Sequence, residues 1–177
     1  MRAPVDAARI RALARELGRV AREDTVVYLT GGATAVIEGW RQSTVDVDLR
    51  LEPDSDALFR RLSELKEELD LNIELASPPD FVPELPGWRE RSPAVLHEGR
   101  VTVRHFDLYS QALSKIERGF VTDLTDVAAM VRSGLVEPKR AKDLFDQIEP
   151  SLHRYPAIDP ASFRAKVERA LGQAPGT

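Results

Sequence analysis

Residues 26–32 read Val-Val-Tyr-Leu-Thr-Gly-Gly, and after thirteen further residues the chain continues as Asp46-Val47-Asp48. The apolar run before the glycines is typical of a buried strand, and the alternation of aspartate with valine predicts a second strand. Residues two apart on a strand point to the same side, so both aspartate side chains should project from one face. The segment therefore predicts two strands, a glycine turn and an acidic face.

The paired glycines, Gly31 and Gly32, favour a turn that binds an anion. Glycine adopts positive φ without steric cost, and a turn built from it can direct backbone N–H groups towards a phosphate. Two carboxylates on one face are the hard oxygen ligands that Mg²⁺ prefers, and this ion completes its shell with water and substrate phosphates. A double glycine or an Asp-x-Asp pair alone is usually structural. In this order and spacing, the two predict a site for a nucleotide and its metal.

The segment from Leu29 to Leu49 resembles the DNA polymerase β-like nucleotidyltransferase superfamily. The resemblance rests on the glycine pair, the two aspartates, and Arg41-x-Ser43 just ahead of them. Within the superfamily it is closest to abortive-infection type nucleotidyltransferase-like toxins of bacterial toxin–antitoxin systems and to an uncharacterised sister family. It implies a transferase that moves a nucleoside monophosphate from an NTP to a hydroxyl acceptor and releases pyrophosphate. ATP is expected to bind, and the residues leave the base preference open.

The resemblance also implies three carboxylates that hold Mg²⁺ or Mn²⁺. Asp46 and Asp48 are two of them, and the third is either Glu74 or Asp107. Glu74 is favoured because Asn72-Ile73-Glu74-Leu75 alternates as a strand should, whereas Asp107 follows a later predicted strand. The third acid would help to hold the ion or accept the proton of the attacking hydroxyl.

Lys115 is the fourth expected catalytic residue. It lies three residues before Arg118, so the two share one helical face and could meet a triphosphate or an RNA backbone; the alternative is a solvated helix face. Lys115 would neutralise charge on the departing pyrophosphate. Asp123 could pair with either cation across the break at Gly119-Phe120. The expected nucleotide-binding set is Gly31, Gly32, Thr34, Arg41, Ser43, Lys115, Arg118 and Asp123.

The order of the predicted elements indicates an α/β (α+β) fold, with a small mixed β-sheet, flanking helices and a helical C-terminal part. We expect a nucleotidyltransferase-like core at 1–108 and helices packed on it at 109–177. The predicted strands are 26–29, 44–51, 72–76 and a hairpin at 95–103. The predicted helices are 6–22, 34–40, one opening at residues 53–55, 110–118, 122–133, 138–148 and 160–172. A proline-rich loop is expected at 78–93.

Composition narrows the class of protein. The 177 residues include no cysteine, which excludes disulfides and thiolate metal sites, and the three histidines lack the spacing of a zinc site. No apolar run approaches the ~20 residues that cross a bilayer, so we expect a cytoplasmic protein without a membrane partner. The formal net charge of −4 gives no global sign of nucleic-acid binding. Any RNA contact would therefore be local.

In the toxins that the chain resembles, the acceptor is often the 3′ end of a tRNA. The resemblance thus implies RNA as acceptor and a cognate antitoxin as partner. The residues themselves do not distinguish RNA from a protein or a small molecule. Two alternatives stay open, a non-catalytic or antitoxin-like nucleotide-binding module and an enzyme that nucleotidylates a hydroxyl of a partner protein. The presence of every expected acid argues against the first.

Overall fold

The computed structural model describes residues 1–172. Within them the chain forms a five-stranded mixed sheet and seven α-helices, which confirms the predicted fold class. Two compact units can be distinguished. The first comprises Met1–Ser77 and Ser92–Phe106, and the second comprises Pro78–Arg91 and the chain from Asp107 onwards. No helix in the described part of the chain is long and apolar enough to span a membrane.

The first unit contains the sheet and three helices. The helices are α1 (Ala7–Val20), α2 (Gly32–Glu38) and α3 (Asp56–Glu68). The strands are β1 (Thr25–Thr30), β2 (Asp46–Glu52), β3 (Asn72–Leu75), β4 (Ala94–Glu98) and β5 (Val101–His105). Their order in the sheet is β3-β2-β1-β5-β4. β1 is antiparallel to β2 and parallel to β5, and β2 is parallel to β3, so the sheet is mixed as predicted.

One face of the sheet is apolar and holds the core of the first unit. Val47, Leu49 and Leu51 are buried along β2, and half-buried polar or charged residues alternate with them. The core also contains Ile10, Leu13 and Leu17 of α1 and Leu58, Leu62 and Leu65 of α3. These residues recur every three or four positions, so each helix presents one apolar stripe. The opposite face of β2 is consequently the one that carries the carboxylates.

The second unit is helical. It contains α4 (Leu108–Arg118), α5 (Val121–Arg132), α6 (Pro138–Ile148) and α7 (Pro160–Leu171). Two short 3₁₀ turns, Pro78–Asp80 and Glu149–Arg154, were not predicted from the sequence. The proline-rich segment contacts the end of the second of these turns, where the Tyr155 hydroxyl donates to the Pro79 carbonyl at 3.2 Å.

Asp107 is the N-cap residue of α4 and is fully buried. Its carboxylate accepts hydrogen bonds from the backbone N–H of Tyr109 and of Ser110, both at 3.3 Å, and from the Ser110 hydroxyl at 2.8 Å. Arg91 adds a two-point ion pair, with Nε at 3.1 Å and Nη2 at 2.8 Å from the two oxygens. Asp107 therefore fixes both the first turn of α4 and the end of the proline-rich segment.

Replacing Asp107 by alanine should destabilise the protein by about 2–4 kcal/mol, because it leaves the half-buried Arg91 guanidinium without its carboxylate and removes a helix cap. Asp159→Ala is the matched control, since Asp159 caps α7 at an exposed position through one bond to the Ser162 N–H. The Asp159→Ala variant should lower the free energy of unfolding by only about 1 kcal/mol. Urea unfolding measures both, and equal losses would contradict a structural role for the Arg91 pair.

Candidate functional site

The predicted acidic face, consisting of Asp46, Asp48 and Glu74, is present on neighbouring strands. Across the parallel pair of β2 and β3, Asp46 aligns with Asn72 and Asp48 aligns with Glu74. Asn72 Nδ2 donates a hydrogen bond to Asp46 Oδ1, so these two side chains lie on one side of the sheet. Because side chains alternate along a strand, Asp48 and Glu74 lie on that side as well. The two aspartates are half-buried and Glu74 is exposed.

The Asp48 carboxylate lies against the glycine turn. Gly31 precedes α2 with φ 62° and ψ −132°, a conformation that L-residues rarely adopt. A Cβ atom at Gly31 would lie 2.7 Å from Asp48 Oδ2, so the missing side chain makes room for this carboxylate. A Cβ atom at Gly32 would lie 2.0 Å from Thr44 Oγ1. A side chain at either position would therefore clash with a different residue of the following segment, which explains why both positions are glycine.

The remaining predicted nucleotide-binding residues of the first unit lie in different environments. Thr34 is fully buried in α2, and its hydroxyl lies 3.3 Å from the Leu29 carbonyl oxygen. Arg41 and Ser43 lie in the connection between α2 and β2, where Arg41 is half-buried and Ser43 is exposed. The Arg41 N–H donates to the Ala35 carbonyl at 3.2 Å, which fixes the start of that connection against α2.

A buried histidine, which the sequence patterns did not single out, joins Thr34 to Glu38. His105 Nδ1 lies 3.0 Å from Thr34 Oγ1, and Nε2 lies 2.8 Å from Glu38 Oε1. The imidazole is only 1% exposed. Burial lowers the pKa of His105 below its ordinary value, although the Glu38 carboxylate acts in the opposite direction. Thr34 and Glu38 are one turn apart on α2, which is the only sequence signal for a shared partner.

In the second unit, Lys115 and Arg118 of α4 meet the first turns of α5. Lys115 Nζ lies 2.8 Å from Asp126 Oδ2 and 3.5 Å from Asp123 Oδ1, and Arg118 binds both oxygens of Asp123 at 2.7 and 2.5 Å. The predicted pairing of Asp123 with these cations is confirmed. Burial alone would raise the pKa of Asp123, but the Arg118 hydrogen bonds and the Lys115 charge hold it below its ordinary value. Lys115 is 7% exposed, whereas the Arg118 side chain is 58% exposed.

The donor set of the acidic face fits a hydrated magnesium ion. As the side chains stand, no three acidic or histidine residues within 1–172 converge to enclose a metal. Mg²⁺ does not require such an enclosure, because it uses one or two carboxylates together with water and phosphate oxygens. Asp46 and Asp48 supply those carboxylates, and the turn at Gly31 lies directly against the Asp48 carboxylate. By contrast, the oxygens of Asp107 are engaged by α4 and Arg91.

Comparisons with known proteins identify relatives of the chain. The sequence model of a family described as "Nucleotidyltransferase of unknown function (DUF6036)" matches residues 8–159. No curated protein matches the chain by sequence. A solved structure, the crystal structure of an antigenic nucleotidyltransferase-like protein from Paracoccidioides brasiliensis, is similar with a TM-score of 0.48 and 14% sequence identity. The similarity covers 94% of this chain and 95% of that chain.

Gly31→Ala should destabilise the protein more than Gly39→Ala. Both positions have positive φ, but nothing lies within 4 Å of a Cβ atom at Gly39, whereas one at Gly31 would clash with Asp48. We expect about 1–2 kcal/mol for Gly39→Ala, because Gly39 has left-handed helical geometry. Gly31→Ala should cost about 1 kcal/mol or more in addition, because its ψ of −132° lies outside that region and its Cβ atom would meet Asp48 Oδ2. Urea unfolding gives the difference. In an Asp48→Ala background the difference should narrow but persist, because the ψ of Gly31 alone is unfavourable for alanine, and equal losses in the otherwise wild-type protein would refute the argument.

The neutral, buried imidazole of His105 should make stability fall as the pH drops. In the unfolded chain His105 takes up a proton near its ordinary pKa of about 6.5, whereas the folded protein resists that uptake. The unfolded state therefore binds more protons below this pH, and the free energy of unfolding decreases as pH falls from about 7 to about 5. Urea unfolding should show a flatter pH dependence for His105→Gln than for the wild type. His153→Gln, at an exposed histidine, is the control, and identical profiles for all three proteins would contradict the argument.

Proposed function

This chain belongs to the nucleotidyltransferase family whose model matches residues 8–159, and we propose that it transfers a nucleoside monophosphate from an NTP to a hydroxyl acceptor. One observation carries the proposal, the common face of Asp46, Asp48 and Glu74 beside the turn at Gly31. Acids on adjacent strands can share a divalent cation, and the cation in turn binds the phosphates of a nucleotide. The proposed reaction joins the acceptor oxygen to the α-phosphorus and releases pyrophosphate.

Asp46 and Asp48 are the proposed ligands of Mg²⁺ or Mn²⁺. When bound, such an ion polarises phosphoryl oxygens and offsets the charge that develops during displacement. We propose a positioning role for Asn72, because its amide donates to Oδ1 of Asp46 and so orients the carboxylate. Glu74 is exposed and pairs with Asp48 across the two strands, which supports the proposal that it completes the donor set or accepts the proton of an acceptor hydroxyl. Glu74 is therefore preferred to Asp107 as the third carboxylate.

The turn at Gly31 and Gly32 is the proposed phosphate cradle. Support comes from the close approach of the Asp48 carboxylate to this turn, because a phosphate bound to the turn would lie next to a cation held by Asp48. Arg41 and Ser43 lie in the connection that leads into β2 and are proposed to contact the same phosphates. Thr34 would act from inside the unit, because its hydroxyl ties α2 to the Leu29 carbonyl and to His105.

For the second unit we propose a phosphate contact at Arg118. Arg118 is the exposed member of the cluster, whereas Lys115 is enclosed by two carboxylates. Asp123 orients the Arg118 guanidinium, and Lys115 balances the charge of Asp123 and Asp126. Arg118→Ala should therefore act mainly on the KM for nucleotide or acceptor. Lys115, the pyrophosphate partner expected from the sequence, is the alternative, and Lys115→Met would then lower kcat.

The acceptor is proposed to be RNA, and the 3′ end of a tRNA is the first candidate. This step rests on the resemblance of Leu29–Leu49 to toxin nucleotidyltransferases, which also makes a cognate antitoxin the proposed partner. A hydroxyl of a protein is the competing acceptor. A reaction that contains both total tRNA and cell extract distinguishes the two, because labelled RNA and labelled protein separate on a denaturing gel.

Incubation with NTPs labelled on the α-phosphate, Mg²⁺, total tRNA and extract should label one class of macromolecule. Asp46→Asn and Asp48→Asn should each reduce labelling at least about a hundredfold, because each removes a ligand that stabilises the displacement by several kcal/mol. Glu74→Gln should reduce it less. Asp54→Asn, which removes an exposed acid outside the acidic face, should keep full activity.

Two results would overturn the assignment. Equal labelling by wild type and the Asp46→Asn/Asp48→Asn double variant would identify a contaminating enzyme as the source. Tight NTP binding without any labelling, tested with each of the four NTPs and with both Mg²⁺ and Mn²⁺, would identify a binding module instead. The unfolding temperature of every variant is compared with that of the wild type, so that a loss of activity can be distinguished from a loss of folded protein.

A further inference from the structure

The helix α5 carries two acids among the apolar residues of its buried side, and it carries further apolar residues on its exposed side. Asp123 and Asp126 point inward to Lys115 and are 0–1% exposed. Four apolar residues at spacings of three and four form a stripe on the opposite side, Val121, Leu124, Ala128 and Val131. Val121 is 82% exposed and Leu124 is 42% exposed. In an ordinary amphipathic helix such a stripe faces the core.

The stripe borders an open groove of about 960 Å³ in the second unit. Aliphatic residues of α4 and α7, including Ile116 and Leu171, continue its floor. Four cations line its rim: Arg118, Arg132, Lys166 and Arg169. Arg132 and Arg169 have no ion-pair partner among residues 1–172, although the whole chain has a net charge of −4. The groove is thus apolar at its base and positive at its edges.

We propose that this groove binds an amphipathic helix of a partner protein, one with an apolar stripe flanked by Asp or Glu. The spacing of the α5 stripe matches the a and d positions of a heptad, which is the pattern by which one helix packs along another. Acidic residues beside the partner's stripe would pair with Arg132 and Arg169. The 12 residues of α5 span about 18 Å, so about three turns of a partner helix would cover the stripe.

The charge of the rim argues against other occupants. A second copy seated in the same groove would bring two positive rims together, which is unfavourable. Nucleic acid bases bind by stacking on aromatic faces, whereas the residues that line this groove within the described chain are aliphatic, glycine, proline or basic. The exposed ring of Phe120 lies beyond the groove, and the Arg118 guanidinium already lies over it at 5.3 Å. The exposed apolar surface also continues past the groove to Val121 and Phe120, further than a small ligand would reach. The inference does not depend on the proposed catalytic function.

The test uses fluorescent peptides of about three heptads with leucine at a and d. One peptide has glutamate at e and g, a second has lysine there, and a third has alanine in place of leucine. Fluorescence anisotropy with the full chain should show that the glutamate peptide binds at least about tenfold more tightly than either of the others. Arg132→Glu/Arg169→Glu should reverse the preference in favour of the lysine peptide, and Leu124→Asp should weaken both.

Arg11→Glu/Arg15→Glu is the matched control, because it makes the same change of charge at exposed residues of α1 outside the groove. It should bind the glutamate peptide as the wild type does. Failure of the glutamate peptide to bind in preference to the lysine peptide would overturn the proposal, and so would equal binding by the two double variants. A dimer in sedimentation that Leu124→Asp abolishes would assign the groove to a second copy instead.

Discussion

The register of β2 is the constraint on which the acidic face depends. β2 lies between β1 and β3, and its buried side chains Val47, Leu49 and Leu51 alternate with its polar ones. A slip of one residue would turn both aspartates into the core and expose the three apolar side chains. Burying unpaired carboxylates and exposing core residues are both costly, so the slip is strongly disfavoured. The same alternation that stabilises the first unit therefore places Asp46 and Asp48 on one face.

The glycine pair and the aspartate pair are related by packing as well as by chemistry. Each glycine makes room for a side chain near the other end of the motif, because Asp48 occupies the space beside Gly31 and Thr44 the space beside Gly32. The antiparallel pairing of Thr30 with Asp48 brings the two ends together. A turn that lacks side chains can thus lie directly against the strand that follows it. The spacing between the two pairs in the sequence is set by this close approach. The two pairs together therefore predict the site better than either pair alone.

Periodicity predicted the type of every strand and α-helix, but not which elements meet. Alternation along Val101, Val103 and His105 indicates one face of a strand, yet it contains no information that His105 meets Thr34 and Glu38 on α2. The parallel pairing of β1 with β5 is equally long-range. The proline-rich segment was predicted as a loop; its anchor is the Arg91–Asp107 pair, whose partners are far apart in sequence. Sequence periodicity predicts which face of its strand or helix a residue lies on. It does not predict which other element packs against that face.

The orientation of α5 follows from the charge of Lys115. A buried ammonium requires nearby carboxylates, and Asp126 and Asp123 supply them from one side of α5. A helix has a single rotational phase, so turning these acids inward necessarily turns Val121, Leu124 and Ala128 outward. From sequence alone, an apolar stripe with this spacing predicts a face that packs in the core, because such stripes are usually buried. Here the ion cluster shares the buried side with Val127 and Met130, and the apolar stripe on the opposite side is left exposed.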